Sequence, residues 1–233
     1  MSVETFEEIV TEEIVTEEII KDIPNHVRTD FPSPKFDVNI SQEEQIEAIQ
    51  SHFSSIMEIL GLDLSHDSLY RTPYRVAKMY VKEIFKGLDD KNFPKMTYME
   101  NENNESSDSV ILIRDITVKS FCEHHFLPFQ GTAQVAYIPN DKLIGLSKIN
   151  RIVDFFSRRP QIQERLTAQI ADSLKKVLNT EDIAVIISAQ HSCVTMRGIE
   201  DESSSTTTSK FLGRFKDNGS CRQELFFQLK QNI

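Results

Sequence analysis

Two short stretches, far apart in the chain, carry the side chains best suited to bind a metal ion. Residues 121–128 read F-C-E-H-H-F-L-P, with a thiol at Cys122 and an imidazole at His125, and Cys193 adds a second thiol far downstream. Two thiolates and a neutral imidazole suit zinc, and three protein ligands leave the fourth tetrahedral position for water, which is typical of catalytic sites. The sequence therefore predicts a catalytic zinc site at Cys122, His125 and Cys193.

Two further histidines lie beside these predicted ligands. His124 adjoins His125, and His191 lies two residues before Cys193. Histidine has an unperturbed pKa of ~6.5 and therefore exchanges protons readily near neutral pH. We interpret His124 and His191 as candidate proton carriers for water activated at the metal.

These thiols and imidazoles also have other interpretations. Widely separated cysteines and histidines are often unrelated. A closed structural zinc site needs a fourth ligand, usually from a second C-x-x-C or C-x-x-H pair, and the sequence has none. The H-x-E and P-C-x-x-C signature of nucleobase deaminases is also absent. The remaining thiol, Cys221, is interpreted as a bystander in a terminal helix.

Composition narrows the classes of function. A chain of 233 residues can hold one sizeable domain and a smaller region. Three cysteines make no disulfide framework, and neither a signal peptide nor a long apolar run is evident, so we expect a cytoplasmic location. The net charge of -10 argues against a nucleic-acid or membrane binder. Because both glycine-rich phosphate motifs are absent, side chains must hold the phosphates of any bound nucleotide.

The first part of the chain divides into an extension and a helical region. Residues 7–20 repeat E-E-I-V-T, a period of five that fits neither a helix nor a strand, and three prolines follow. Residues 1–40 are therefore predicted to be an acidic, low-complexity extension and linker. Residues 41–109 are predicted to be an N-terminal helical region. Its first helix begins at the Ser41–Glu44 capping box, and its second helix is capped by Thr72. The polar stretch 88–109 is predicted to be a loop.

Residues 110–233 are predicted to form the catalytic domain. Its predicted elements are strands Val110–Lys119 and Gly131–Ile138, a helix capped by Ser147, a helix opened by Pro160, strand Ile183–Ala189, a strand near Lys210–Phe215 and helix Cys221–Lys230. The central order β-β-α-α-β-β indicates an α+β fold, an antiparallel sheet with helices on one face. Its open sheet edges favour pairing with further copies, so we expect a homo-oligomer.

A carboxylate near the start of the predicted Pro160 helix has two interpretations. A glutamate in the position of Glu164 is commonly a surface residue or one that interacts with the helix dipole. Alternatively, its carboxylate accepts two parallel hydrogen bonds from N1–H and the 2-amino group of guanine, with Gln163 nearby. Adenine has a lone pair in place of N1–H, so such a site discriminates between the bases by roughly 10⁴-fold.

Five cationic side chains are candidates for binding a triphosphate. They are Arg75, Lys78, Lys148, Arg151 and Arg197. Each charge-assisted contact contributes ~1.5–3 kcal/mol. Spacing alone does not bring these residues together, and pairs three apart on a helix are also typical of a solvated surface.

The motifs around these residues resemble the GTP cyclohydrolase I family. The shared motifs are C-E-H-H at 122–125, G-L-S-K-I-N-R at 145–151, R-P-Q-I-Q-E-R at 159–165 and H-S-C-V-T-M-R-G at 191–198, with T-P-Y-R-V-A-K-M-Y at 72–80. The resemblance covers about residues 41–228. The N-terminal repeat lies outside it.

The resemblance implies a fold, a reaction and a set of roles. The family has the tunnelling fold (T-fold), assembles as a decamer of two pentamers, and converts GTP and water to 7,8-dihydroneopterin triphosphate and formate. Zinc would lie on Cys122, His125 and Cys193, and the acid/base pair would be His124 and His191. Substrate would be bound by Glu164, Gln163, Ser147, Lys148, Arg151, Arg197, Arg75 and Lys78, some of them from a neighbouring subunit.

Two alternatives stay open at this point. One is a non-catalytic, GTP-sensing scaffold with a structural zinc, for which the two spare histidines would have no purpose. The other is a different T-fold enzyme that acts on a pterin or purine. The zinc ligands, Glu164 and the cations together favour the cyclohydrolase.

Overall fold

The computed structural model describes residues 39–101, 109–140 and 142–231. Residues 1–38 of the predicted extension, with its repeat and prolines, therefore lie outside the described residues, as does the stretch 102–108 of the predicted loop. Within the described ranges, no helix combines the length and the apolar character needed to cross a bilayer.

Helices and strands are interspersed along the described residues. The α-helices are α1 (Gln42–Ile59), α2 (Thr72–Met79), α3 (Leu146–Ser157), α4 (Gln163–Val177), α5 (Ser192–Thr195), α6 (Arg214–Asp217) and α7 (Gly219–Lys230). The strands are β1 (Tyr98–Glu100), β2 (Ile111–Cys122), β3 (Pro128–Tyr137), β4 (Lys142–Ile144), β5 (Pro160–Gln161), β6 (Ile183–His191) and β7 (Thr206–Phe211). A π-helical turn (Tyr80–Ile84) and two short 3₁₀ turns follow α2.

The N-terminal helices pack against each other as a small unit. The predicted capping box is confirmed, since the Ser41 hydroxyl accepts from the Glu44 amide and the Glu44 carboxylate accepts from the Ser41 amide. Ile46 of α1 packs with Ala77 and Val81, the latter in the π-helical turn after α2. Towards the end of α1, Met57 is buried, whereas Ile56 and Ile59 stay exposed. Thr72 is the first residue of α2 rather than its N-cap, which is Arg71.

The main sheet has the strand order β5-β2-β3-β6-β7, and β1 pairs with β4 in a separate two-stranded sheet. Neighbours in the main sheet are antiparallel, except that β5 runs parallel to β2. The predicted α+β class is therefore confirmed, but the sheet is mixed rather than purely antiparallel. The predicted loop at 88–109 also contains the strand β1.

Side chains of β2 point alternately to the core and away from it, and Cys122 is among those that point to the core. In β2, Ile116, Val118, Ser120 and Cys122 are buried in turn, as a period of two requires. Where β3 meets β6, a Cβ on Gly131 would lie 1.9 Å from the Ser188 carbonyl oxygen, so only glycine allows this close approach.

The helices cover the sheet on both faces. Side chains of α3 and α4 share one apolar core with Val118, Val135 and Val185. The prediction of helices on one face is wrong at one end of the sheet, because Leu225 of α7 packs with Ala136 and Ala184. These two alanines alternate with Val135 and Val185 and therefore point to the opposite face.

Several predicted element boundaries also differ from the structure. Ser147 does not cap α3, whose N-cap is Gly145. Pro160 does not open α4 but lies in β5, paired with Phe121 of β2. The last strand is Thr206–Phe211 rather than Lys210–Phe215, because the β-branched threonines extend β7 beside β6.

Candidate active site

The three predicted metal ligands converge at one end of the central strands. Cys122 is the last residue of β2, His125 lies in the connection to β3, and Cys193 lies in α5 directly after β6. Their candidate ligand atoms all lie within 4.8 Å of one another. Zinc bonds of ~2.0–2.3 Å put ligands of one ion within roughly 4.6 Å of each other, so the arrangement is close to that of a coordinated cation. Among the described residues, no fourth histidine, cysteine or carboxylate joins this group.

The electrostatics of the two sulfurs also fit a cation. Burial raises the pKa of the Cys193 thiol, and the neighbouring Cys122 sulfur raises that pKa further, whereas the charge of Arg197 lowers it. Two adjacent thiolates repel each other unless positive charge lies nearby. A divalent cation shared by both sulfurs and by His125 would supply that charge.

The surroundings of the ligands include a second histidine and an arginine. The Cys122 sulfur lies 3.6 Å from Nδ1 of His124, which is exposed. The guanidinium of Arg197 donates to Nε2 of His125 at 2.9 Å. Since guanidinium only donates, His125 presents a lone pair at this nitrogen. The structure thus places His124 and Arg197 beside the candidate metal ligands Cys122 and His125.

His191 is held by one hydrogen bond and one ring contact. Its Nε2 lies 2.8 Å from Oε1 of Gln163, and its ring stacks on Phe129 with centroids 4.5 Å apart and an interplanar angle of 11°. Phe129 and His191 are directly opposite each other in the β3–β6 ladder, so the register of the sheet creates this stack. His191 is therefore fixed in position before any ligand arrives.

Gln163 also determines which nitrogen of His191 carries the proton. Its Nε2 donates to the carbonyl oxygens of Ile187 and Thr206, at 3.0 and 2.9 Å, and those atoms only accept. Its Oε1 must therefore face His191, where it accepts a hydrogen bond from Nε2–H. Neutral His191 then keeps its lone pair at Nδ1.

Burial lowers the pKa of His191, and the nearby Glu164 carboxylate opposes this effect by favouring the imidazolium. Burial is the larger cause, so the neutral ring is favoured at neutral pH. Neutral imidazole with a lone pair at Nδ1 is the form that can accept a proton.

Comparison with known proteins decides the family. A family model described as GTP cyclohydrolase I matches residues 49–230. The chain belongs to the GTP cyclohydrolase I family. The resemblance carried by the sequence motifs is thereby confirmed.

Curated relatives in this family are similar over most of their length. The "GTP cyclohydrolase 1" of Serratia proteamaculans is 54% identical over 185 residues, which cover 79% of this chain and 83% of that protein. The protein of the same name from Tolumonas auensis is 52% identical over 186 residues, covering 80% and 85%. That of Vibrio campbellii is 52% identical over 192 residues, covering 82% and 88%.

The remaining residues that the GTP cyclohydrolase I resemblance singled out are more dispersed. Glu164 is exposed in the first turn of α4, next to the buried Gln163. In the described part of the chain, the side chains of Ser147, Lys148 and Arg151 on α3 make no hydrogen bond or ion pair. These residues are near the surface and available to a ligand.

Arg75 and Lys78 of α2 lie in a different place from the metal ligands. They line an open cavity of about 470 Å³ together with Arg71, Tyr74 and Glu83. Arg75 donates to the Ser68 carbonyl oxygen and to the Thr72 hydroxyl. No hydrogen bond joins this cavity to the metal ligands within the described residues.

Some residues of this GTP cyclohydrolase I site had no signal in the sequence. Phe129 was not predicted to contact His191, because the contact depends on strand register. Gln163 was predicted to lie near the guanine, which stays a prediction, but its buried hydrogen bonds to Ile187, Thr206 and His191 were not predicted. Glu123 and Arg165 lie inside two recognised motifs but had no assigned role, although they form a salt bridge beside the site.

Proposed function

We propose that this chain is a zinc-dependent GTP cyclohydrolase I, which converts GTP and water to 7,8-dihydroneopterin triphosphate and formate. The observation that carries the proposal is the convergence of Cys122, His125 and Cys193 beside the oriented His191, in a chain of this family. When bound, zinc lowers the pKa of a water to ~7 and so supplies hydroxide at neutral pH. A closed structural zinc would need a fourth ligand, which the described residues do not add.

The two histidines are proposed to move protons. Loss of C8 of guanine as formate opens the imidazole ring, so water must lose protons and purine nitrogens must gain them. His191 accepts and returns a proton at Nδ1, since Gln163 occupies its Nε2. His124, exposed beside the Cys122 sulfur, is placed to serve as the second proton carrier.

Glu164 is proposed to recognise guanine. Its carboxylate is exposed at the start of α4, where it can accept from N1–H and the 2-amino group. Its negative charge lies close enough to His191 to affect the pKa of that ring. This proximity supports a substrate that spans from Glu164 to the metal ligands.

The triphosphate is proposed to bind to cations and one hydroxyl. These are Ser147, Lys148, Arg151, Arg197, Arg75 and Lys78. Arg197 is already next to His125, whereas Arg75 and Lys78 line their own cavity. We infer that some of them act on a neighbouring subunit's substrate.

Assembly as a homo-oligomer, a decamer of two pentamers, belongs to the same proposal. Large apolar side chains of α1 and α7 are exposed, including Ile59, Leu60 and Phe227 at 85%, 70% and 63%. Contact with further copies would remove this surface from water. The proposed location is the cytoplasm, where the thiols of Cys122 and Cys193 stay reduced. Analytical ultracentrifugation of the purified chain should show a single large species, and a monomer would contradict the assembly.

Formate release tests the proposed reaction directly. The purified protein should release formate from GTP with a dihydropterin absorbance band, and should release none from ATP. A strong chelator should abolish the reaction and added zinc should restore it. Chelator-resistant turnover would refute the zinc requirement, and GTP binding without product would favour the non-catalytic scaffold.

Replacement of Glu164 tests guanine recognition. Glu164→Gln should lower kcat/KM for GTP at least about 10-fold, because one charge-assisted pair of hydrogen bonds is lost. Its zinc content should match that of the unaltered protein. Glu181→Gln, also a surface carboxylate, is the control and should leave kcat/KM unchanged. Equal GTP kinetics in both variants would refute the role of Glu164.

A further inference from the structure

Glu123 and Arg165 form a two-pronged ion pair beside the site. Nη1 of Arg165 lies 2.5 Å from one carboxylate oxygen of Glu123, and Nη2 lies 3.2 Å from the other. Only 12% of the Arg165 side chain and 23% of the Glu123 side chain are exposed. A bidentate pair of this kind fixes orientation as well as distance, which a lysine cannot do.

The pair joins the two parts of the chain that the proposed reaction must hold in register. Glu123 lies between Cys122 and His124, in the connection from β2 to β3. Arg165 follows Glu164 in the first turn of α4. The ion pair therefore ties the segment that carries metal ligands to the helix that carries the proposed guanine-binding carboxylate.

Backbone contacts complete the connection on the other side. The Glu123 amide donates to the Gln161 carbonyl oxygen at 3.0 Å, just before α4 begins. The metal-ligand connection is also closed on itself, since the Cys122 amide donates to Leu127 and the Phe126 amide donates to Cys122, both at 2.8 Å. The hydrogen bond to Gln161 fixes the backbone at Glu123. The ion pair with Arg165 then limits how far the β2–β3 connection can tilt relative to α4.

The substrate gives this register a chemical purpose. Purine is a rigid bicycle, so its N1/2-amino edge and its C8 keep a constant separation. If Glu164 holds the edge, the position of C8 relative to Cys122 and His125 depends on how the protein spaces α4 and the β2–β3 connection. A misplacement of ~1 Å can cost about 10²-fold in rate.

We propose that Glu123 and Arg165 are positioning residues that set the distance between the metal ligands and Glu164. The proposal rests on the proposed function. Neither side chain belongs to the cluster of metal ligands, and each neutralises the charge of the other. Their effect on the reaction is therefore indirect, through the placement of the groups on either side.

Arginine-to-lysine replacements at two ion pairs test the proposal. Arg165→Lys keeps the charge but loses the fork, so kcat for GTP should fall about 10- to 100-fold while zinc content stays that of the unaltered protein. The control is Arg214→Lys, at the Arg214–Asp182 pair 2.7 Å apart between α6 and the start of β6. It should lower the thermal midpoint comparably and leave kcat unchanged.

A spectroscopic measurement reads the position of the substrate relative to the metal by a signal other than kcat. In protein loaded with cobalt in place of zinc, GTP should shift the visible absorption bands of the metal. In Arg165→Lys this shift should be smaller or different, whereas Arg214→Lys should reproduce the unaltered protein. The reversed pair, Glu123→Arg with Arg165→Glu, should recover part of the kcat that either single replacement loses.

The outcomes separate this proposal from the previous one. An unaltered protein that releases no formate from GTP overturns both. If the unaltered protein is active and Arg165→Lys has a normal kcat and a normal cobalt response, the positioning role alone is overturned. A loss of kcat in Arg165→Lys that lost zinc explains fully also overturns it. If Arg165→Lys does not fold, Glu123→Asp, which is one methylene shorter, decides by the same readouts.

Discussion

The end of the central strands and the cationic surfaces of α2 and α3 are organised in opposite ways. At the strand ends, the candidate reacting groups are fixed by the fold: His191 is stacked, hydrogen-bonded and partly buried, and Cys122 ends a buried alternation. On the helices, Lys78 and Arg151 are exposed and make no ion pair within the described residues.

This difference separates chemistry from affinity. Groups held by a hydrogen-bonded sheet keep their geometry without substrate, which is what transition-state stabilisation requires. Exposed cations on helices give up little when a phosphate arrives, and they contribute mainly to binding. Replacements in the first region should therefore lower kcat, and replacements in the second should raise KM.

His191→Ala should give the largest effect of the replacements considered below. Loss of a positioned proton carrier lowers kcat by about 10²- to 10⁴-fold, with little change in KM. Formate release at saturating GTP measures this, with zinc content as a check on the fold. His66→Ala, in an exposed turn, is the control and should match the unaltered protein. Full turnover in His191→Ala would end the proton-transfer role.

Residue identity alone was enough to predict the family and the clustering of Cys122, His125 and Cys193, but not the contacts around that cluster. The spacing in C-E-H-H and the second thiol at Cys193 are local signals. The hydrogen bonds of Gln163 had no signal in the sequence, because its partners, Ile187 and Thr206, belong to two strands brought beside α4 only by folding. These contacts are set by tertiary packing, which single-sequence patterns do not contain.

Pro160 shows the same limit at the level of the fold. A residue without an N–H suits the first turn of a helix and equally suits a short edge strand. Pairing with the distant Phe121 decided between the two. The sequence predicted the class of the fold and the existence of most elements of residues 110–233, and nonlocal pairing set their boundaries.

Gln163→Met tests whether the Gln163 carboxamide positions His191 for the reaction or only stabilises the fold. It removes a hydrogen-bond donor from the carbonyl oxygens of Ile187 and Thr206 and frees His191, so kcat should fall about 10- to 100-fold. Gln169→Met, also on α4 and equally buried, is the matched control, because Gln169 bonds to Gln161 and not to His191. Both variants should lose about 1–3 kcal/mol of unfolding free energy. Equal loss of kcat in both would mean that Gln163 is merely structural.

Lys78→Met tests the cationic region. Removal of one phosphate contact should raise KM for GTP about 10-fold, since ~1.4 kcal/mol corresponds to that factor, and should leave kcat nearly unchanged. The effect should shrink at high salt, because exposed charges are screened. Lys175→Met, which removes an exposed pair with Glu181, should leave KM alone. A fall in kcat without a change in KM would break the comparison, by showing that α2 positions substrate for the chemistry.

Phe129→Leu should have the smallest effect on turnover. Its effect is measured as a change in the pH dependence of kcat/KM. Burial lowers the pKa of His191, and Phe129 covers one face of the ring. A smaller side chain admits water, which stabilises the imidazolium and raises that pKa towards its ordinary value. The unprotonated form is then lost at higher pH, so the acid limb of kcat/KM should move to higher pH while activity above it stays similar. Phe215→Leu, fully buried in the other apolar cluster, should leave the limb in place. A shift to lower pH would mean that Phe129 does not hold His191 in its neutral form.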